Sequence, residues 1–412
     1  MKTLFLYSHG YPNPEGQTTV DRLAWHYLRA LAEYGPVTLL ALLPYSKRRH
    51  PPPPSLRSLC ADLFAFPAPP SRLTAIIRLW HGFRHRSPPM LSLKWNPEAA
   101  RFLEIALRHA RFDLWVAHSP LALGLLSIPL FQETRKREGR PRLLLATEEV
   151  LWRAWEGYRV AHWRTVGLAT KVHARFYRWM ANHERAYARL ADRTLCLSAR
   201  EAEALQTLDP AIHPTMIPLF VDTTQFHPAL MPQEPEILFT GFFGHPPNRE
   251  AALELGRLIW PKIHSQLPMA RLHLAGHGVR RLQPLLPDPS IRFSDSVPSL
   301  VPLYQRAALV IGPIRSGEGV RGKFLEALAC GCPVITTPLG ASGIQVRPEE
   351  GLLLAETPAE FIAKALPFLR QPGAFGPLRQ AAAASIQQRH SLSAWRQVLD
   401  RVLTELALPS PS

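Results

Sequence analysis

Residues 311–337 read IGPIRSGEGVRGKFLEALACGCPVITT, and this stretch decides the fold. Leu309–Ile311 is a buried strand, and the chain breaks at Pro313. A glycine-rich loop follows with Gly317, Gly319 and Gly322. The pattern turns helical near Arg321–Lys323 and stops at Gly331, after which Val334–Thr336 is a second buried strand. Strand, glycine loop, helix and strand in this order make the repeating unit of a parallel α/β sheet. Unpaired N–H groups and the dipole at the helix start form an anion site, and glycines let the backbone approach a phosphate closely. Arg321 and Lys323 lie at that same helix end, where the dipole disfavours cations. Their placement makes sense with an anion beside them, and a leaving diphosphate fits.

Two carboxylates bracket the loop. Glu318 lies within it and Glu326 in the first turns of the helix, with the spacing E-x7-E. Both fall beyond a strand's carboxyl end, where open α/β sheets bind ligands. A carboxylate accepts from vicinal hydroxyls, so one glutamate suits a ribose and the other a hexose.

The run from Glu318 through Lys323 and Glu326 to Ala-Leu-Ala-Cys-Gly-Cys-Pro-Val resembles the donor-binding region of retaining GT-B glycosyltransferases, family four (glycosyl transferases group one). Other segments carry the likeness outward: FDLWVAHSP ending at Pro120, PTMIPLFVDTTQFHP from Pro214, ILFTGFFGHPPNRE from Ile237, and ARLHLAGHG ending at Gly278. The resemblance implies an α/β fold of two Rossmann-like domains facing a cleft, with the acceptor on the N-terminal domain and a nucleotide sugar on the C-terminal one. It implies His118, Glu318, Arg321 and Lys323 as catalytic residues. Gly16, Gly276, Gly317, Gly319, Val320 and Glu326 would bind the donor, a UDP- or GDP-sugar, with no metal and no further cofactor. The implied reaction is transfer with retention to a glycan, a lipid-linked sugar or another envelope precursor. The sequence departs from the pattern where Leu219-Phe220 replaces the linker's Asn-Gly, and where the Arg and Lys that usually follow the second domain's opening strand are missing. His245, Arg249 or Arg321 would have to supply that charge.

The strand–helix rhythm extends to both ends of the chain. Expected strands are 2–7, 37–43, 63–66, 114–117, 142–147 and 194–197, then 237–240, 271–275, 291–293, 309–311, 334–336 and 351–354. Expected helices include 18–33, 248–264, 297–306, 322–329, 358–369 and one long helix over 375–406. The Pro-rich stretch 226–235 reads as a linker. The domains are then 1–232 and 233–385, followed by a C-terminal helix and tail over 386–412, which as an alternative packs back on the first domain. His118, directly after the strand 114–117, points to the reacting sugar or is a satisfied interior histidine. Glu148 and Glu149, after the next strand, recognise an acceptor or cap a helix.

The 412 residues, 46% hydrophobic and 19% charged, describe a globular chain too long for one core. The short apolar stretch at the N-terminus reads as a first strand, so a cytoplasmic location is expected, with the inner face of the membrane as a peripheral site. The net charge is +16, and residues 1–232 hold 30 Lys/Arg against 18 Asp/Glu. That half suits an acidic partner such as an anionic membrane, helped by the stripe Leu73, Ile76, Ile77, Trp80 and Phe83 with its arginines; an Arg-rich proteome explains the charge equally. Trp152, Trp155, Trp163 and Trp179 lie among arginines, but no nucleic-acid module surrounds them, so nucleic acid is discounted as a partner. Cys60, Cys196, Cys330 and Cys332 fit neither a disulfide framework nor a zinc spacing. The readings weighed against transfer are a sugar-nucleotide epimerase on the same fold and an idle nucleotide- or membrane-binding partner.

Overall fold

The computed structural model describes residues 1–14, 19–44, 50–67, 96–109, 111–119, 122, 140–148, 150, 152–153, 168–229, 231–232 and 234–408. The chain divides into two compact units, Met1–Ile217 with Val398–Ser412, and Pro218–Gln397. The Pro-rich stretch 226–235 thus lies inside the second unit.

The first unit is built on a seven-stranded parallel sheet. Its strands are β1 (Thr3–Tyr7), β2 (Val37–Leu43), β3 (Asp62–Pro67), β4 (Leu114–His118), β5 (Arg142–Ala146), β6 (Arg193–Cys196) and β7 (Pro214–Met216). They lie in the order β3-β2-β1-β4-β5-β6-β7. Every residue of β1, β2 and β4 is buried, as the unbroken apolar runs demand of strands covered on both faces. Helices α1 (Thr19–Ala32), α2 (Pro54–Leu59), α3 (Pro97–His109), α4 (Leu168–Ala188) and α5 (Ala199–Leu208) supply crossovers. β7 is absent from the strands expected of the sequence; Pro214 and its polar flanks hide a short edge strand that pairs with β6.

The second unit carries a six-stranded parallel sheet. It consists of β8 (Glu236–Thr240), β9 (Arg271–Ala275), β10 (Ile291–Ser294), β11 (Leu309–Gly312), β12 (Val334–Thr336) and β13 (Leu352–Leu354), in the order β10-β9-β8-β11-β12-β13. Each sheet thus starts in its middle, runs outward, then reverses, the doubly wound pattern of a Rossmann-like domain. The reversal falls between β1 and β4 in the first unit and between β8 and β11 in the second.

Two helices depart from the expected lengths. The span 248–264 begins as α6 (Pro246–Glu254), loosens into a π-helical segment over Leu255–Ile259, and resumes as α7 (Trp260–His264). Pro261 has no N–H and its ring crowds the carbonyl four residues earlier, so the helix widens there. After α8 (Val301–Arg306), α9 (Gly322–Ala329) and α10 (Pro358–Arg370), the expected single helix over 375–406 is two, α11 (Gly376–Arg389) and α12 (Leu392–Glu405). The break is at His390, which is fully buried. Its Nδ1 lies 2.8 Å from the Leu219 carbonyl, and its Nε2 accepts from the Gln345 N–H at 3.0 Å. Those bonds come from segments distant in sequence, so helical periodicity cannot reveal the break. From Val398 the chain belongs to the first unit, where Asp400 accepts from the Tyr34 hydroxyl at 2.7 Å.

No helix among the described residues is long and apolar enough to cross a membrane. The Leu73–Phe83 stripe lies outside the described residues, as do Trp155 and Trp163. Trp152 packs against the first unit's core. All four cysteines are free and buried, and burial pushes the thiols of Cys330 and Cys332 up to about 12 and about 11.

Candidate active site

The E-x7-E segment lies where the second sheet reverses. β11 ends at Gly312, the loop 313–321 crosses its carboxyl end, and α9 starts at Gly322. Gly317 and Gly319 have φ of +91° and +81°, left-handed values that side chains rarely adopt. Between them Glu318 is half-buried.

Arg321 bonds to the loop that precedes it. Its Nη1 donates to the carbonyls of Glu318 at 2.5 Å and Gly319 at 2.9 Å. Its Nη2 donates to those of Ser316 at 3.2 Å and Gly317 at 2.9 Å. One guanidinium therefore satisfies four successive carbonyls of the glycine loop and folds the loop around itself. These four bonds make the guanidinium a brace inside the loop. The planar fork of arginine suits this, because its donors are fixed in direction.

Lys323 is the cation at the crossing point of the strands. Its Nζ donates to the Thr240 carbonyl, the last of β8, at 3.1 Å and to Asn248 Oδ1 at 2.5 Å, and it lies 4.4 Å from the centre of the Phe239 ring. Burial, then the charge of Arg321, lowers its pKa to about 7, against an opposing pull from Glu326. His245, which begins α6, is likewise lowered by burial and then by Arg321 and Lys323. Burial and the closeness of like charges disfavour the charged form of both groups, and Glu326 and Glu250 offset this only in part.

Glu326 lies one turn along α9, half-buried, and accepts a long hydrogen bond of 3.4 Å from the Tyr304 hydroxyl. Tyr304 is fully buried and its hydroxyl also lies 2.7 Å from Thr240 Oγ1. Glu326 and Lys323 are thus joined through Tyr304 and Thr240 at the end of β8. Asn248 and Tyr304 were not singled out in the sequence. Asn248 was visible as the Pro-Asn before a helix, whereas Tyr304 looks like any apolar position of a short amphipathic helix.

Gly276, at the end of β9 with φ of +130°, serves close packing. A Cβ there would sit 2.2 Å from the Gly241 carbonyl oxygen, so the turns after β8 and β9 can meet only at a glycine. Val320 is half-buried in the loop. Gly16 and Glu149 lie outside the described residues.

In the first unit, His118 ends β4 at that sheet's own reversal. Its side chain is 1% exposed, packed among Phe5, Tyr7 and Tyr27, with ring centres 5.3–5.9 Å away. Nδ1 lies 2.8 Å from Glu148 Oε1, but off the line of a proper hydrogen bond. The ring is thus enclosed by aromatic side chains while its Nδ1 makes no proper hydrogen bond, and Glu148 is the more exposed member of the pair. Ser119, directly after it, has φ of +75°, a strained value for a residue with a side chain.

Residues 234–371 match the family model for glycosyl transferases group 1. Among curated proteins none matches the sequence. Solved structures with the same fold include a sucrose-phosphate synthase from Thermosynechococcus elongatus, 18% identical with a TM-score of 0.68, covering 99% of both chains. HepE of Anabaena, in complex with UDP and glucose, is 16% identical with a TM-score of 0.62, over 98% of this chain and 100% of that one. The lipopolysaccharide outer core galactosyltransferase WaaB is 12% identical with a TM-score of 0.60, over 98% and 99%. The group 1 match over the second unit, within a GT-B fold shared along nearly the whole chain, makes this an enzyme of the glycosyltransferase type.

Proposed function

We propose that the enzyme transfers a hexose from a nucleoside-diphosphate sugar, a UDP-sugar first among candidates, to a glycan or lipid-linked acceptor, with retention and without a metal ion. The observation that carries the reading is the convergence of Lys323, Glu326 and the Gly317–Gly319 loop on the ends of β8 and β11. Lys323 and the N–H groups opening α9 would take the diphosphate, Glu326 the ribose hydroxyls, and Glu318 the sugar. In the transfer, the acceptor oxygen bonds to the anomeric carbon as the bond to the diphosphate breaks. The acceptor proton passes to the departing phosphate oxygen on the same face. UDP bound in HepE agrees with the choice of donor. The deciding assay is release of UDP from a panel of UDP-sugars with and without acceptor glycans. No turnover of any nucleoside-diphosphate sugar, with intact UDP binding, would leave a binding protein instead.

Glu326→Gln is expected to weaken binding of UDP alone by roughly ten- to a hundredfold, since hydrogen bonds to a charged group are worth about 1.5–3 kcal/mol. Titration calorimetry measures this, and unchanged affinity would remove Glu326 from the ribose.

A pH signature should accompany binding. With a pKa of about 7, Lys323 in the free enzyme is charged below that pH and neutral above it. A diphosphate beside it favours the charged form and raises the pKa. Above pH 7, binding must therefore take up a proton, and affinity should fall by up to about tenfold per pH unit until the raised pKa is reached. Calorimetry at pH 8 in buffers of different ionisation heat should show net uptake that Lys323→Met abolishes. No uptake in the wild type would place the anion elsewhere.

A further inference from the structure

The opposite end of the second sheet holds a group of charges that the transfer reaction leaves unused. The register pairs Glu236 with Arg271, His273 with Arg292, and Ala275 with Ser294. Residues paired across a parallel ladder share a face, and alternate residues of one strand do too. Glu236, Arg271, His273, Arg292 and Ser294 therefore occupy a single face of β8, β9 and β10. Parallel sheets are normally apolar on both faces, so three neighbouring strands with polar residues on one face break the rule. Such breaks concentrate where a protein has a use for them.

A cavity of about 610 Å³ opens on this face, bordered by Glu236, Arg271, Arg292 and Arg306, with Met231 and Glu234 at its sides. That size suits a small molecule. Its inner charges are already matched. The buried Glu236 carboxylate lies 3.3 Å from Arg306 Nε and 3.5 Å from His273 Nδ1, and His273 Nε2 lies 2.8 Å from Ser294 Oγ. Its outer charges are not: Arg271 and Arg292 are exposed and make no ion pair with a described residue. Glu234, also exposed, is the one acidic group on this cavity that Arg306 and His273 do not hold. Two guanidiniums from adjacent strands, standing on a neutralised floor, present the forked donors that fit phosphate oxygens.

We propose that this cavity binds a phosphate-bearing small molecule, clamped by Arg271 and Arg292, at a site separate from the nucleotide site. Glu236 and Arg271 open their strands, whereas Lys323 reaches the carbonyl of Thr240, which closes β8. At about 3.3 Å per residue the two sites are on the order of 13 Å apart along the strand.

The test uses inorganic pyrophosphate at millimolar concentration and the thermal midpoint of the full chain. Pyrophosphate should raise the midpoint of the wild type by a few degrees. The rise should persist in Lys323→Ala, where the nucleotide site is impaired, and vanish in Arg271→Gln/Arg292→Gln. Without pyrophosphate the double variant should melt like the wild type, because both side chains are exposed. If it does not fold, Arg292→Gln alone, on the edge strand, should cut the rise at least by half. No rise in the wild type, a rise that survives loss of the arginines, or one that disappears with Lys323 would each overturn the proposal. None of these outcomes depends on glycosyl transfer.

Discussion

Lys323→Ala is expected to lower turnover by about 10²–10³, the usual effect of removing one donor that faces charge building up in the transition state. The size follows from the position of Lys323. Its ammonium is fixed by Thr240 and Asn248 at the reversal of the second sheet, so it needs little reorganisation when the diphosphate leaves. Steady-state kinetics on a UDP-sugar is the measurement, with circular dichroism to verify folding. The loss should fall mainly on kcat. Near-normal turnover in a folded variant would mean that the leaving group departs somewhere else.

The second large effect is expected at Arg321, and here the conservative variant is the informative one. Four carbonyls of the loop 316–319 depend on a single guanidinium. Hydrogen bonds to a charged group are worth about 1.5–3 kcal/mol each, and water will replace part of that in a half-buried loop. A net loss of about 3 kcal/mol in loop order corresponds to an affinity for UDP lowered on the order of 10². Arg321→Ala should show this, and Arg321→Lys should be nearly as weak, because one ammonium cannot span four carbonyls. A lysine that restored affinity would return Arg321 to the role of a simple cation facing the diphosphate. Together, Lys323→Ala and Arg321→Lys separate a charge that contacts the ligand from a charge that shapes its container.

Local sequence information stops inside the loop. Gly317 and Gly319 announce backbone that side chains cannot adopt, and E-x7-E announces two carboxylates on one side of a helix start. Nothing in the sequence reveals whether the guanidinium of Arg321 points outward or curls back, since both suit a basic residue before a helix. Likewise the residues next to His118 in the sequence do not reveal what encloses its ring. Its enclosure by Phe5, Tyr7 and Tyr27 comes from β1 and α1, roughly a hundred residues earlier.

The alternation of strands and helices follows from the sequence, because apolar runs and turn residues act over a few positions. The strand–loop–helix with E-x7-E follows from it as well, because its glycines and charges are contiguous. Tertiary structure alone decided which strands lie side by side, and so which residues meet at the reversal points. It joined Tyr304 to Glu326, Asn248 to Lys323, and Arg292 to the face that carries Arg271. These pairings depend on how the second sheet is wound, and winding is a property of long-range packing that a linear pattern does not contain.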